Sequence, residues 1–153
     1  MEKKEKKLPI SSVLFLCLHN SARSQMAEAF LKKLAPDRFQ IVSAGLIPGV
    51  LNPLVVQAML EVGIDISTNQ TKTAQSLLDA GWHFDHVITV CNSDRAEQCP
   101  IFPGFARVDH WDFIDPSDLT GDDTEKLAVI RIIRDGIFDR IQKWLKEMAE
   151  GNV

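Results

Sequence analysis

Val13-Leu14-Phe15-Leu16-Cys17-Leu18-His19-Asn20-Ser21-Ala22-Arg23-Ser24 runs without a break into Gln25-Met26-Ala27-Glu28-Ala29-Phe30, and the reading of this stretch decides the fold. Its first half is a short apolar run with a β-branched start, the pattern of a buried strand. Its second half is rich in helix formers, with Met26, Ala29 and Phe30 at helical spacing. Between them lies a loop that begins at a cysteine and closes, six residues later, at an arginine. A tight loop ending in a helix start turns backbone N–H groups inward at the positive end of the helix dipole, which makes an anion site. Arg23 adds a planar, permanently charged fork that matches tetrahedral oxyanions. The field that holds an anion also favours a thiolate, so Cys17 is expected to lose its proton readily. The stretch reads as a nucleophile beneath a bound oxyanion. The plainer alternative is a core cysteine closing a strand, followed by a surface arginine.

Outward from this stretch, Pro36 and Asp37 break the first helix after about Leu34, and Phe39 to Ala44 reads as a second strand stopped by Gly45. Pro48-Gly49 is a turn. Pro53 fits the first position of a helix that carries Leu54, Val55, Ala58, Met59 and Val62 inward and ends at Gly63. Thr73 to Ala80 is a further short helix. His86 to Val90 is a β-branched strand that ends on Cys91, and a polar stretch from Asn92 to Gln98 leads to Cys99-Pro100. Ala106 to Trp111 is a fourth strand, followed by Asp112-Phe113-Ile114-Asp115-Pro116. Asp122 to Met148 is one amphipathic helix, with Leu127, Ile130, Ile133, Ile137, Ile141, Trp144 and Met148 along its apolar stripe.

Strands alternating with helices, without hairpin signals, predict an α/β fold: a four-stranded parallel sheet flanked by helices on both faces. Sites in such folds lie at the carboxyl ends of the strands, so Cys17, Cys91 and the Trp111–Asp115 loop are expected at one edge. The domain plan is a disordered charged tail over residues 1–9 and a single α/β domain over 10–150.

At 153 residues the chain is long enough to bury a proper core, and 45% apolar with 25% charged residues are ordinary globular values. A net charge of −4 argues against a general nucleic-acid binder, and no apolar run approaches a membrane span. The lysine-rich start is followed by an apolar stretch interrupted by Pro9, Ser11 and Ser12, so a frayed, solvated tail is expected there rather than a signal peptide, and a cytosolic protein is expected. Three cysteines in that compartment make a structural disulfide framework improbable. No pair of them has zinc-ligand spacing, so no metal is expected. Cys91 and Cys99 can be read as a buried free thiol and a loop thiol. Beside a nucleophilic cysteine they also fit a relay by thiol–disulfide exchange.

Cys17 to Ser24 resembles the C-x5-R-[ST] phosphate-binding loop of the low-molecular-weight protein tyrosine phosphatase superfamily. The longer match, through Asn20-Ser21, Arg23-Ser24 and Gln25-Met26-Ala27-Glu28, with Val-Ile-Thr-Val-Cys91, Cys99-Pro100 and His110-Trp111-Asp112-Phe113-Ile114-Asp115-Pro116, is similar to its thioredoxin-coupled arsenate reductases. The resemblance implies that Leu18, His19, Asn20, Ser21, Ala22, Arg23 and Ser24 bind the oxyanion and that Cys17 attacks arsenate. It implies that Cys91 then attacks Cys17 and Cys99 attacks Cys91, leaving a disulfide for reduced thioredoxin, with Asp115 as general acid. Asp115 before Pro116 also reads simply as a turn residue or cap. Ser24 is expected to donate to the Cys17 thiolate and Asn20 to hold the loop's shape. The His19 side chain is expected to point outward, while His83, His86 and His110 read as ordinary residues and the tryptophans as core or pocket wall.

No bound cofactor and a monomeric state are expected. Ala22 stands where some relatives carry a fourth cysteine. Some relatives hold potassium at positions matching Asn20, Glu28 and Ser43. Here residues 68–73 supply Lys72 and no acidic group, which counts against a monovalent-cation site. Two rival functions remain. One is a phosphatase for phosphotyrosine or small phosphomonoesters using Cys17, Arg23 and Asp115, which needs neither Cys91 nor Cys99. The other is a non-enzymatic oxyanion or redox sensor.

Overall fold

The computed structural model describes residues 10–92 and 107–151; the expected charged tail, and Cys99 with its surrounding segment, lie outside the described residues. The elements in chain order are β1 (Ser11–Cys17), α1 (Arg23–Leu34), β2 (Phe39–Gly45), α2 (Pro53–Glu61), α3 (Ala74–Asp79), β3 (His86–Cys91), β4 (Arg107–Asp112), a 3₁₀ turn (Pro116–Asp118) and α4 (Asp123–Ala149). The strands form one parallel sheet in the order β2-β1-β3-β4, as the strand–helix alternation predicts.

The pleat of β1 divides its side chains between two cores. Val13 and Phe15, with Ile88 and Val90 of β3, face a large core built from α1, α2 and α4. Leu14 and Leu16, with Val87, face a smaller one closed by Ala74 and Leu77 of α3 and by Phe84. Both faces of the sheet are thus covered, and β1 is buried from Ser12 to Cys17. In α4, Leu127, Ile130, Ile133, Ile137, Ile141 and Trp144 are buried, and Met148 packs only partly against them. Each such large apolar side chain contributes roughly 1.5–3 kcal/mol on burial.

Helix starts follow the local chemistry. Asn52 Oδ1 accepts from Leu54 N (3.0 Å) ahead of Pro53, and Asp122 Oδ1 accepts from Glu125 N (2.8 Å). Two differences from the sequence pattern stand out. Arg134 lies on the buried stripe of α4, where its guanidinium reaches Ala58 O and Glu61 Oε1, both at 2.9 Å, and ties α4 to α2. In α1 the polar Arg23, Ser24, Gln25 and Glu28 are as buried as Met26 and Phe30. The first two turns of this helix are enclosed because they form the floor of the site.

Candidate active site

β1 delivers Cys17 to its carboxyl end, 3% exposed, and the chain reverses through residues 18–22 into α1. The reversal depends on Asn20, which has φ of 57°. Asparagine tolerates this left-handed conformation better than most side chains. It turns the Asn20 backbone N–H onto Cys17 Sγ at 3.2 Å.

The Asn20 side chain, fully buried, orders the rest of the loop. Its Oδ1 accepts from the backbone N–H of Lys72 (3.0 Å) and from Gln25 Nε2 (3.1 Å). A backbone N–H can only donate, so the amide orientation is settled, and Nδ2 donates to Ser24 Oγ (2.8 Å) and Ser43 Oγ (3.0 Å). Ser24 Oγ thereby accepts from Asn20, which leaves its own proton for Cys17 Sγ at 2.8 Å. The sequence-based roles of Ser24 and Asn20 agree with this geometry.

The back of the loop is pressed against the β2–α2 connection. Leu18 O accepts from Leu46 N (2.9 Å) and Ile47 N (3.1 Å), and Asn52 N donates to Ser21 O (3.0 Å). A Cβ on Gly45 would stand 2.7 Å from the His19 carbonyl carbon, and one on Gly49 would stand 2.5 Å from His19 O. Both glycines allow the loop backbone to approach this closely.

Arg23 is 2% exposed, and its two terminal nitrogens reach the loop after β4. Nη1 donates to Phe113 O (3.0 Å), and Nη2 pairs with Asp115 Oδ2 at 3.1 Å. The other carboxylate oxygen of Asp115 accepts from Ser117 N (2.9 Å) and caps the 3₁₀ turn. The cap reading of Asp115 is met on one oxygen, while the other oxygen faces Arg23. Cys17, His19, Ser21, Ala22, Arg23, Asn52, Asp115 and Ser117 enclose a cavity of about 30 Å³. His19 is half-buried and belongs to this lining. Asn52 and Ser117 join this lining from outside the sequence motifs. Their signals were the Asn-Pro helix start and the position two residues after Asp115.

Cys91, the last residue of β3, pairs in register with Asp112 and is fully buried. It is disulfide-bonded, whereas Cys17 is the free cysteine among the described residues. Cys91 shares the carboxyl edge with Cys17, but strand alternation sends the two to opposite faces: Cys17 follows Phe15, and Cys91 follows Thr89 and Val87. On that second face, Cys91 Sγ lies 3.5 Å from His110 Nδ1.

The positions matched to a potassium site do not fit a cation. The Asn20 oxygen is already taken by two N–H donors. The buried Glu28 carboxylate lies 3.7 Å from Lys32 Nζ and also acts on Lys72, opposing the burial that lowers the Lys72 pKa. No cluster of three metal-ligating side chains occurs among the described residues, and no described helix is long and apolar enough to cross a membrane.

The model of the low molecular weight phosphotyrosine protein phosphatase family matches residues 12–152. The chain is 42% identical over 138 residues to an arsenate reductase of Bacillus subtilis, covering 90% of this chain and 94% of that protein. Its structure superposes with a TM-score of 0.71 on a solved arsenate reductase in the phosphate binding state, at 27% identity, covering 90% of this chain and 98% of the other. It also superposes, with a TM-score of 0.56 and 30% identity, on a thioredoxin-dependent arsenate reductase of Corynebacterium glutamicum, covering 88% of this chain and 63% of that one. With the loop from Cys17 to Ser24 built as described, the chain belongs to the low molecular weight phosphotyrosine protein phosphatase family and groups within it with proteins named arsenate reductase.

Proposed function

We propose that the protein reduces arsenate to arsenite, using Cys17 as nucleophile and a Cys17, Cys91, Cys99 thiol–disulfide relay regenerated by thioredoxin, in the service of arsenic detoxification in the cytoplasm. The observation that carries this reading is the pairing of two differently prepared cysteines at one sheet edge. Cys17 Sγ shares a hydrogen bond with Ser24 Oγ and accepts one from the Asn20 backbone N–H beside Arg23, and Cys91 on the adjacent strand is already in a disulfide. A phosphatase has use for the first and none for the second.

In this mechanism arsenate enters the loop from Leu18 to Ser24 and takes the Arg23 fork, displacing Asp115 from it. The Cys17 thiolate bonds to arsenic, and Asp115 delivers a proton to the departing oxygen, which leaves as water. The Cys91 thiolate then bonds to Cys17 sulfur. The sulfur–arsenic bond breaks with its electron pair going to arsenic, which leaves as arsenite. Cys99 attacks Cys91, frees Cys17, and leaves a Cys91–Cys99 disulfide for the dithiol of thioredoxin. Because Cys91 faces away from Cys17 while it is paired with Asp112, its attack requires the end of β3 to release from β4. The chain needs no potassium, because lysines already meet the Glu28 charge.

The test is NADPH consumption with thioredoxin, thioredoxin reductase and arsenate, comparing wild type with Cys91→Ala and Cys99→Ala. Sustained turnover by wild type only supports the relay. Hydrolysis of a phosphomonoester by all three proteins, with no arsenate-driven oxidation, replaces it with the phosphatase reading.

A further inference from the structure

We propose that His110 is the proton-transfer partner of Cys91, taking its thiol proton before the cysteine attacks and returning one when its disulfide is opened. Its use in turnover rests on the relay reading above, but the pairing itself does not. Cys91 is fully buried, where a bare thiolate is disfavoured and a proton has no direct path to water. In the disulfide form that the structure holds, His110 Nδ1 lies 3.5 Å from Cys91 Sγ, within reach of a sulfur hydrogen bond, while the His110 residue is exposed. A proton taken at one ring nitrogen can therefore leave to solvent through the other.

The backbone fixes this meeting. In the parallel β3–β4 ladder, Thr89 pairs with His110 and Cys91 with Asp112, so all four side chains alternate to the same face and Cys91 is the diagonal neighbour of His110. Thr89 Oγ1 stands 3.0 Å from His110 Nδ1 and 3.4 Å from Asp109 O. With its proton turned to Asp109 O, its hydroxyl leaves the single lone pair of a bare Nδ1 open to Cys91 and can accept from Nδ1–H once the ring is charged. It holds the ring in either protonation state. β4 is an edge strand whose sheet neighbour is β3, and β3 gives this face Thr89 and Cys91 without a permanent charge. On β4 itself Asp112 shares the face, and Arg107 and Asp109 alternate to the other.

The chemistry balances without a further reactant. Imidazole and thiol become imidazolium and thiolate, and the thiolate forms the Cys17–Cys91 bond as the sulfur–arsenic bond breaks. The imidazolium then gives its proton to water. When the donor dithiol later attacks the Cys91 disulfide and Cys91 leaves as a thiolate, imidazolium reprotonates it.

Two measurements test the pairing without arsenate. In a Cys17→Ser/Cys99→Ser protein, Cys91 is the sole thiol, and its ultraviolet thiolate absorbance against pH gives its titration midpoint. His110→Gln is expected to raise that midpoint by about one pH unit, the effect of removing an adjacent cation; an unchanged midpoint overturns the proposal. In the wild-type protein, the His110 ring titration followed by nitrogen NMR is expected to move between the thiol-reduced and disulfide forms, and an identical titration in both overturns it. Shifts found in a protein that reduces no arsenate support the pairing and sink only the relay. Arsenate reduction with neither shift overturns the pairing alone.

Discussion

Arg23 and Asp115 meet at the mouth of the site, with guanidinium Nη2 3.1 Å from carboxylate Oδ2 and side chains only 2% and 14% exposed. The same aspartate caps the 3₁₀ turn through its other oxygen. Asp115→Asn keeps a side-chain oxygen for that cap, and asparagine caps as well as aspartate. Thermal stability is therefore expected to change little, while kcat for arsenate falls by about 10²- to 10⁴-fold through loss of the proton donor. Equal losses in stability and activity would assign Asp115 to the turn alone.

Asn20 satisfies four partners from one amide, three of them buried side chains, and holds a left-handed backbone that alanine resists. Asn20→Ala is expected to lower unfolding free energy by about 2–4 kcal/mol, the range for stranding buried polar groups with added backbone strain. Urea unfolding measures it. A cost near zero would show that the loop is held from elsewhere.

Gly45 has no room for a side chain, because its Cβ would meet the backbone of His19, Asn20 and Leu18 at 2.7–2.9 Å. Gly45→Ala is expected to push the loop toward the cavity, costing about 1–3 kcal/mol of stability and raising KM for the oxyanion. An unchanged KM would mean that β2 yields instead of the loop.

Glu61 carries a carboxyl pKa lowered from 4.5 to about 2, chiefly by hydrogen bonding to Arg131, against the effect of burial, with Arg134 adding to it. A folded-state pKa below the unfolded one gives stabilisation that is complete above about 4.5 and is lost as pH falls toward about 2. The Tm difference between wild type and Glu61→Gln should therefore be widest near neutrality and close across that acid window. Arg131 and Glu61 are well exposed, so the difference is modest. A gap independent of pH would contradict the linkage.

Potassium and sodium chloride at equal ionic strength are expected to support the same kcat/KM, since the Asn20 oxygen and Glu28 are already engaged. Selective activation by potassium would show that a cation displaces Lys72 or Lys32.

What was legible in the sequence was local. The strand from Val13, the loop to Arg23 and the helix to Leu34 lie within 22 residues, so their spacing alone puts Cys17 and Arg23 at the two ends of one loop. Asp115 was read from its motif, yet its contact with Arg23 spans the sheet and follows from the order β2-β1-β3-β4. Cys91 was placed at the correct edge but not on a face, because strand alternation needs the β1–β3 register to decide it. The nearness of His110 to Cys91 was not legible for the same reason: the two are diagonal neighbours on different strands. Gly49 looked like one half of a Pro-Gly turn, and only the packed loop shows that it makes room for His19.

The most direct test of the central claim is a single turnover of fully reduced protein with arsenate and no external reductant, counting arsenite released and mapping the disulfide formed. The account predicts about one arsenite per chain, with a Cys91–Cys99 disulfide in wild type and a trapped Cys17–Cys91 disulfide in Cys99→Ser. Cysteines that remain reduced and no arsenite, from a protein that still hydrolyses a phosphomonoester, would contradict it.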